Sequence, residues 1–430
     1  MSRVVSADWV LPVEGPPIEN GAVAIEDGRI AAVGTAAELG RGEHHEGAAI
    51  VPGFVNAHSH LEYAVYAGFG DGLEFAAWLE LHIARKRRLD FDDMVASARL
   101  GAAQSLASGI TTTGDASFSG AAGPAMAELG LSGIVHLEAF GDELAVEALR
   151  ARVEPALSER VSLGLSPHAP YTATAALYRA CADTGLPLAT HLAESAAEEE
   201  WLVHGSGPMS GFADLLPPPP GESGVRALAR AGVLGPSLTA AHCVTVDTEE
   251  IALLAAHDVA VAHCPRSNAF LGCGTAPLSE LRAAGIRVGL GTDSPASTPS
   301  FDMFAELRAA IFAARSRERR PDALTAAEAL ELATLGAARA LRLDGETGSL
   351  VPGKQADLAV VSLVGSPYVP WEDPAAAVVF GGSPQSVLTT LVHGEARYER
   401  GGFEWRELLR SARSARSRML AAGPVAASPR

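Results

Sequence analysis

Cysteine is scarce in this chain of 430 residues. There are four, Cys181, Cys243, Cys264 and Cys273, and no two form a C-x-x-C pair. That argues against a disulfide framework and points to a reducing compartment. Lysine is scarcer still, with Lys86 and Lys354 the only two. Basic charge is in deficit overall: 33 Lys and Arg face 51 Asp and Glu, for a formal net charge of −18. A chain with this balance lacks the basic face that meets nucleic acid. No segment approaches the ~20 apolar residues that span a bilayer. Residues 1–20 lack a basic start followed by an apolar run, so no signal peptide is expected. The expectation is a cytoplasmic protein with neither nucleic acid nor membrane as partner. Two local exceptions, "ARKRR" (84–88) and "RSARSARSR" (410–418), read as a solvated helix face and a loose tail.

Apolar residues make up 48% and charged ones 20%, enough for a large core. The length suits one large barrel plus an accessory part. Both ends are β-rich and broken by turn signals. "GAVAIEDGRIAAVG" lies near the start, and "GSLVPGKQADLAVVSL" and "SVLTTLVHGEARYERGG" lie near the end. Between them, eight short apolar runs alternate with Ala/Leu/Glu/Arg stretches of helical spacing. The runs begin at "GFVNAH" (53–58) and finish at "IRVGLGTD" (286–293). Strands alternating with helices imply parallel βαβ units, and eight of them match the size of a (β/α)8 barrel. The expected fold is α/β: a (β/α)8 TIM-like barrel over 52–345, with a small β-sandwich domain formed by both chain ends, 1–51 and 346–405. Residues 406–430 are expected as a helical or disordered tail. The loop "LLPPPPGESG", which includes Pro217–Pro220, is expected as a connector.

Polar residues recur where these runs end. His58 and His60 close the first strand, His168 the fourth, His191 the fifth, His242 the sixth, His263 the seventh and Asp293 the eighth. In a (β/α)8 barrel those ends meet at one mouth, where catalytic residues sit. His58 and His60 are two apart, so on a strand both imidazoles face the same way and are the expected first ligands of a metal ion. Imidazoles with one carboxylate suit Zn²⁺ or Fe²⁺. Neither lysine ends a strand, so a carboxylated-lysine bridge is excluded and one divalent metal ion is expected. In "HLAE", Glu194 follows His191 by three residues and is placed to carry a proton.

The set "PGFVNAHSH", "SPHAPYT", "THLAES", "AHCV", "CPRSN" and "GLGTDS" resembles the amidohydrolase superfamily, in its mononuclear deaminase and chlorohydrolase branch. The resemblance covers nearly the whole chain. It implies a metal held by His58, His60, His191 and Asp293. It also implies proton transfer by Glu194, orientation of the attacked group by His242, and a second proton taken by Asp293. His168 would contact the substrate, and Ser267 and Asn268 would line the mouth. His263 is read as structural, since "HCP" replaces the more usual His-Asn-Pro. In S-adenosylhomocysteine deaminases the helix after the first strand carries an acid that holds the ribose. Here that region reads "IARKRR", so Arg85 or Arg87 would instead meet a substrate carboxylate. Glu62 would contact base or ribose, or else start a helix. The reaction implied is hydrolytic deamination of a purine-type nucleoside, with aminodeoxyfutalosine the leading substrate. Guanine, pterin or triazine deamination, chlorohydrolysis, and a non-catalytic scaffold are the alternatives. Dimers are common in the family, so a homodimer is a further expectation.

Overall fold

A computed structural model describes residues 2–421. Four strands open the chain: β1 (Ser2–Val10), β2 (Ile18–Glu26), β3 (Arg29–Thr35) and β4 (Glu43–Pro52). The next eight are β5 (Phe54–Ser59), β6 (Ile110–Ser117), β7 (Ser132–Ala139), β8 (Val161–Pro167), β9 (Leu188–Leu192), β10 (Leu238–His242), β11 (Ala260–His263) and β12 (Val288–Leu290). Then follow β13 (Leu358–Ser362), β14 (Val387–Val392) and β15 (Glu395–Glu399).

The eight middle strands coincide with the eight apolar runs and pair in chain order, all parallel. β6 and β7 are buried at every position, as strands covered on both faces must be. The barrel closes between its first and last strands. Asp293 N–H donates to the His58 carbonyl at 3.0 Å, and Ser59 and Asp293 form a parallel bridge. Asn56 reinforces this seam: its side chain bonds both the Thr292 amide and the Thr292 hydroxyl. The backbones here lie very close. A Cβ on Gly291 would stand 2.9 Å from the His58 Cβ and 3.0 Å from the Cys264 Sγ, so only glycine fits.

The end strands form one seven-stranded sheet, in the order β15-β14-β13-β4-β1-β2-β3. Only the β1–β4 pair is parallel. The Asp27-Gly28 turn joins β2 to β3 with both residues at positive φ, the geometry a two-residue hairpin needs. Val5, Val23, Ile30, Ile50 and Val360 come from five different strands yet share one apolar cluster, so the sheet closes over its own core.

Two basic stretches depart from expectation. "RSARSARSR" lies in a helix, Trp405–Leu420, that packs on the helix Phe91–Ala107. Arg418 clasps the buried Asp93 carboxylate, and Arg416 donates to the carbonyls of Val65 and Ala67. In "ARKRR", Arg88 donates to the Ala421 carbonyl at 2.6 Å, and Arg85 covers the Phe69 ring. Arg85, Arg88, Arg416 and Arg418 thus engage specific acceptors or a ring, while Arg87, Arg410 and Arg413 face solvent as expected of a solvated helix face. The expected disorder at 422–430 lies outside the described residues. Among the described residues no helix is long and apolar enough to cross a membrane.

Candidate active site

The strand ends deliver their polar side chains to one place. His58, His60, His191, His242 and Asp293 are all buried there. The backbone at this rim is unusual. Ala193, His242 and Asp293 have φ values of 52°, 75° and 56°, in the left-handed region that non-glycine residues rarely enter. Such conformations cost about 1–3 kcal/mol each and persist where neighbours enforce them, often at functional sites.

The hydrogen bonds fix which imidazole nitrogen faces inward. His60 Nδ1 lies 2.8 Å from the Ala116 carbonyl and His191 Nδ1 lies 2.9 Å from the His168 carbonyl. Carbonyls only accept, so both Nδ1 atoms carry the proton. The two Nε2 lone pairs then face each other at 3.2 Å, an arrangement that needs a cation between them. His58 Nε2 is buried with no hydrogen-bond partner. Asp293 Oδ1 lies 3.5 Å from His60 Nε2 and 3.8 Å from His58 Nε2. Its Oδ2 is tied down by the hydroxyls of Ser267 at 2.6 Å and Ser297 at 2.7 Å. Burial lowers the imidazole pKa values, to about 3 for His60 and about 4 for His191, so the rings are neutral. Burial alone would raise Asp293, but the surrounding His58, His60 and His242 carry it below the usual carboxylate range. Three neutral imidazoles and one ionised carboxylate fit a divalent metal ion. The hydrogen bonds behind them orient each donor.

Two further groups flank this cluster. His242 Nδ1 bonds the Asn268 Oδ1 at 2.9 Å, leaving its Nε2 bare and 3.7 Å from the Glu194 Oε1. Glu194 sits in a turn pinned from below. The amides of Ala193 and Glu194 both donate to the Glu198 carboxylate, at 3.0 and 2.7 Å, and Ser195 caps the helix Ala196–His204. Burial, followed by the charge on Asp293, pushes Glu194 well above the usual carboxylate range.

Above the cluster opens a cavity of about 300 Å³. His60, His191, Glu194 and Asp293 form part of its lining, with His168 beside them. One wall comes from the helix Phe75–Lys86, through Trp78, His82 and Lys86, and Arg87 follows at the exposed edge. Phe212, Leu215 and Leu216 also line the cavity. Leu215 and Leu216 begin the Pro-rich loop, so that segment also shapes the cavity and is more than a connector.

Several expected substrate contacts lie elsewhere. Glu62 is fully buried and accepts from the Ser117 hydroxyl and from the amides of Ser119 and Ala121. It holds the loop after β6 and does not line the cavity, because these donors use up its carboxylate. Ser267 and Asn268 are also fully buried and do not line the mouth. The short helix Pro265–Phe270 turns them onto Asp293 and His242 from behind. Arg85 faces Phe69 rather than the cavity. His263 is buried outside the lining, as expected of a structural residue. Lys86, His82 and Glu138 were missed. Glu138 stands next to the end of β7, so the strand-end rule that picked out the histidines also points to it.

The comparisons agree with this architecture. The profile described as "Amidohydrolase family" matches residues 49–397. A short match, residues 21–41, is to an imidazolonepropionase-like composite domain of bacteria. A 5-methylthioadenosine/S-adenosylhomocysteine deaminase of Moorella thermoacetica is 34% identical, covering 93% of this chain and 95% of that one. A 5'-deoxyadenosine deaminase of Methanothermobacter thermautotrophicus is 33% identical, with 94% of each chain covered. Among solved structures, an adenosine deaminase from Xanthomonas campestris with bound zinc superposes with a TM-score of 0.85. It is 29% identical and covers 97% of this chain and 98% of that one. An atrazine chlorohydrolase from Arthrobacter aurescens has a TM-score of 0.82 at 23% identity, covering 96% of this chain and 99% of that one, a likeness of fold.

Proposed function

Because the chain belongs to the amidohydrolase family, we propose that it is a hydrolytic deaminase of purine nucleosides, replacing the 6-amino group by oxygen and releasing ammonia. The observation that carries this reading is Glu194, a buried carboxyl at the floor of a largely apolar cavity, beside a three-imidazole, one-carboxylate metal site. The printed names of the relatives support the nucleoside class. His58, His60, His191 and Asp293 would hold one divalent ion, for which the zinc-bound neighbour favours Zn²⁺. When bound, such an ion supplies Lewis acidity and makes water nucleophilic near neutral pH.

The chain's own groups do the rest. Glu194, with its raised proton affinity, protonates the purine N1 and so makes C6 electrophilic. Asp293 accepts the proton lost as oxygen bonds to C6. His242, fixed by Asn268, presents its bare Nε2 to the oxygen and amine at that carbon. Asp293 passes that proton to the amine, the remaining hydroxyl proton returns to Glu194, and the C6–N bond breaks so that ammonia leaves and the oxygen remains as a carbonyl. Trp78 and the other apolar walls exclude water from the ring.

For the rest of the substrate, Arg87 at the exposed edge offers a fork for a carboxylate. That favours aminodeoxyfutalosine, whose benzoate would reach it, and S-adenosylhomocysteine also carries a carboxylate. The test is to incubate the zinc-loaded protein with an adenine nucleoside and measure both products. One ammonia per 6-oxopurine nucleoside is expected. Release of ammonia only from free bases or pterins would contradict the reading.

A further inference from the structure

Glu138 takes no part in the chemistry above, yet its side chain is only 2% exposed and lines the same cavity. Its carboxylate accepts no hydrogen bond from any described residue. His60 Nδ1 lies 3.8 Å from it and already donates to the Ala116 carbonyl. The Lys86 ammonium does not bond it either. That ammonium sits 3.7 Å above the Phe118 ring, with the Tyr63 and Phe140 rings each 5.9 Å away. Lys86 therefore supplies opposite charge to Glu138 without supplying a donor. A buried carboxylate without donors is costly unless a ligand brings them.

A metal at Glu138, His168 and His191 would also answer this need, since their donor atoms lie within 4.8 Å of one another. The neighbouring bonds argue against it. His191 Nε2 already faces the ligand cluster, its Nδ1 donates to the His168 carbonyl, and His168 Nδ1 is engaged by Thr172 at 2.8 Å.

The substrate class narrows the donor. An adenine nucleoside has three ring nitrogens that accept, N1, N3 and N7. Its donors are the 6-amino group, which leaves, and the ribose hydroxyls. We infer that Glu138 is the group that receives the vicinal hydroxyls of the ribose, with Lys86 as the positioning charge beside it. This rests on the nucleoside reading of the site and names a specificity determinant for it. The enzyme thereby selects ribonucleosides over deoxynucleosides.

The experiment compares kcat and KM for adenosine, 2'-deoxyadenosine, 3'-deoxyadenosine and 2',3'-dideoxyadenosine. It uses the zinc-loaded wild type, Glu138→Gln and Glu138→Ala. Zinc content and melting temperature show whether each variant is folded and loaded. The wild type is expected to lose roughly 100-fold or more in kcat/KM on removal of both hydroxyls, because the buried carboxylate is left unpaired. In both variants adenosine is expected to fall toward the dideoxynucleoside, mainly through KM, and the ribo/dideoxy ratio to collapse to about threefold or less. An unchanged ratio in folded, zinc-loaded variants would overturn the role of Glu138 and leave the deaminase reading intact. A wild type that releases ammonia from free bases but from none of these nucleosides would overturn both.

Discussion

The proposed reading gives Glu194 and the imidazoles separable duties, which single substitutions can test. Glu194→Gln keeps the shape and removes the exchangeable proton. It is expected to keep its zinc while kcat falls by about 10²–10⁴, the usual worth of a positioned acid–base group. Metal analysis alongside steady-state rates checks this, and a loaded variant with wild-type kcat would remove Glu194 from the mechanism. His191→Ala removes a proposed ligand, so the dialysed protein should come out depleted of metal. Asn268→Ala acts one step back. It frees the His242 ring that Asn268 holds at 2.9 Å, and kcat should drop about 10–100-fold with metal retained. At this scale the sequence was legible in placement: His58, His60, His191 and Asp293, expected at strand ends that meet at one mouth, do lie together there. It was not legible for Glu62, Ser267 and Asn268. Whether a polar side chain faces a cavity or a backbone amide depends on tertiary packing, which motif spacing does not encode.

At the level of elements, the helix Phe75–Lys86 and the terminal helix Trp405–Leu420 bear the most consequence. The first places Lys86 in the cavity and is followed by Arg87 at its edge. Arg87→Ala is expected to raise KM at least tenfold for a carboxylate-bearing nucleoside such as S-adenosylhomocysteine. It should leave 5'-deoxyadenosine nearly unchanged, and equal effects on both would refute a carboxylate contact. The terminal helix bonds the segment that follows the first two histidines, through Arg416 to the Val65 and Ala67 carbonyls. Arg418 meets Asp93, which is buried, while its own side chain is half exposed. Arg418→Ala should therefore cost about 1 kcal/mol, readable as a lower urea midpoint. Composition alone suggested a loose basic tail here. The tail docks because its Ala and Leu positions repeat on one helical face, burying Leu408, Ala412, Ala415 and Met419.

For the molecule as a whole, barrel and site are one construction. The seam that closes the barrel runs through His58, Ser59 and Asp293, so the placement of two proposed ligands and barrel closure are set by the same bonds. Binding a metal there must stabilise the fold. At a free ion concentration 100 times Kd the gain is about 2.7 kcal/mol, and a chelator should lower the melting temperature reversibly. An unchanged melting temperature on metal removal would detach the ion from the seam. The alternation of eight apolar runs made the barrel readable in advance, because parallel strands buried on both faces must be continuously apolar. The end domain was readable as β structure from both termini. Its single curled sheet was not, since strand order across such a sequence distance leaves no local signal.

The measurement that bears most directly on the central claim is ammonia release by the zinc-loaded protein across a panel. It would include aminodeoxyfutalosine, S-adenosylhomocysteine, 5'-deoxyadenosine, guanine, cytosine and a pterin, with chloride release from a chlorotriazine followed in parallel. The account predicts that kcat/KM for the purine nucleosides exceeds that of every base, and that the carboxylate-bearing nucleosides lead. Turnover confined to a free base or to the chlorotriazine, or silence throughout from a fully loaded protein, would contradict it.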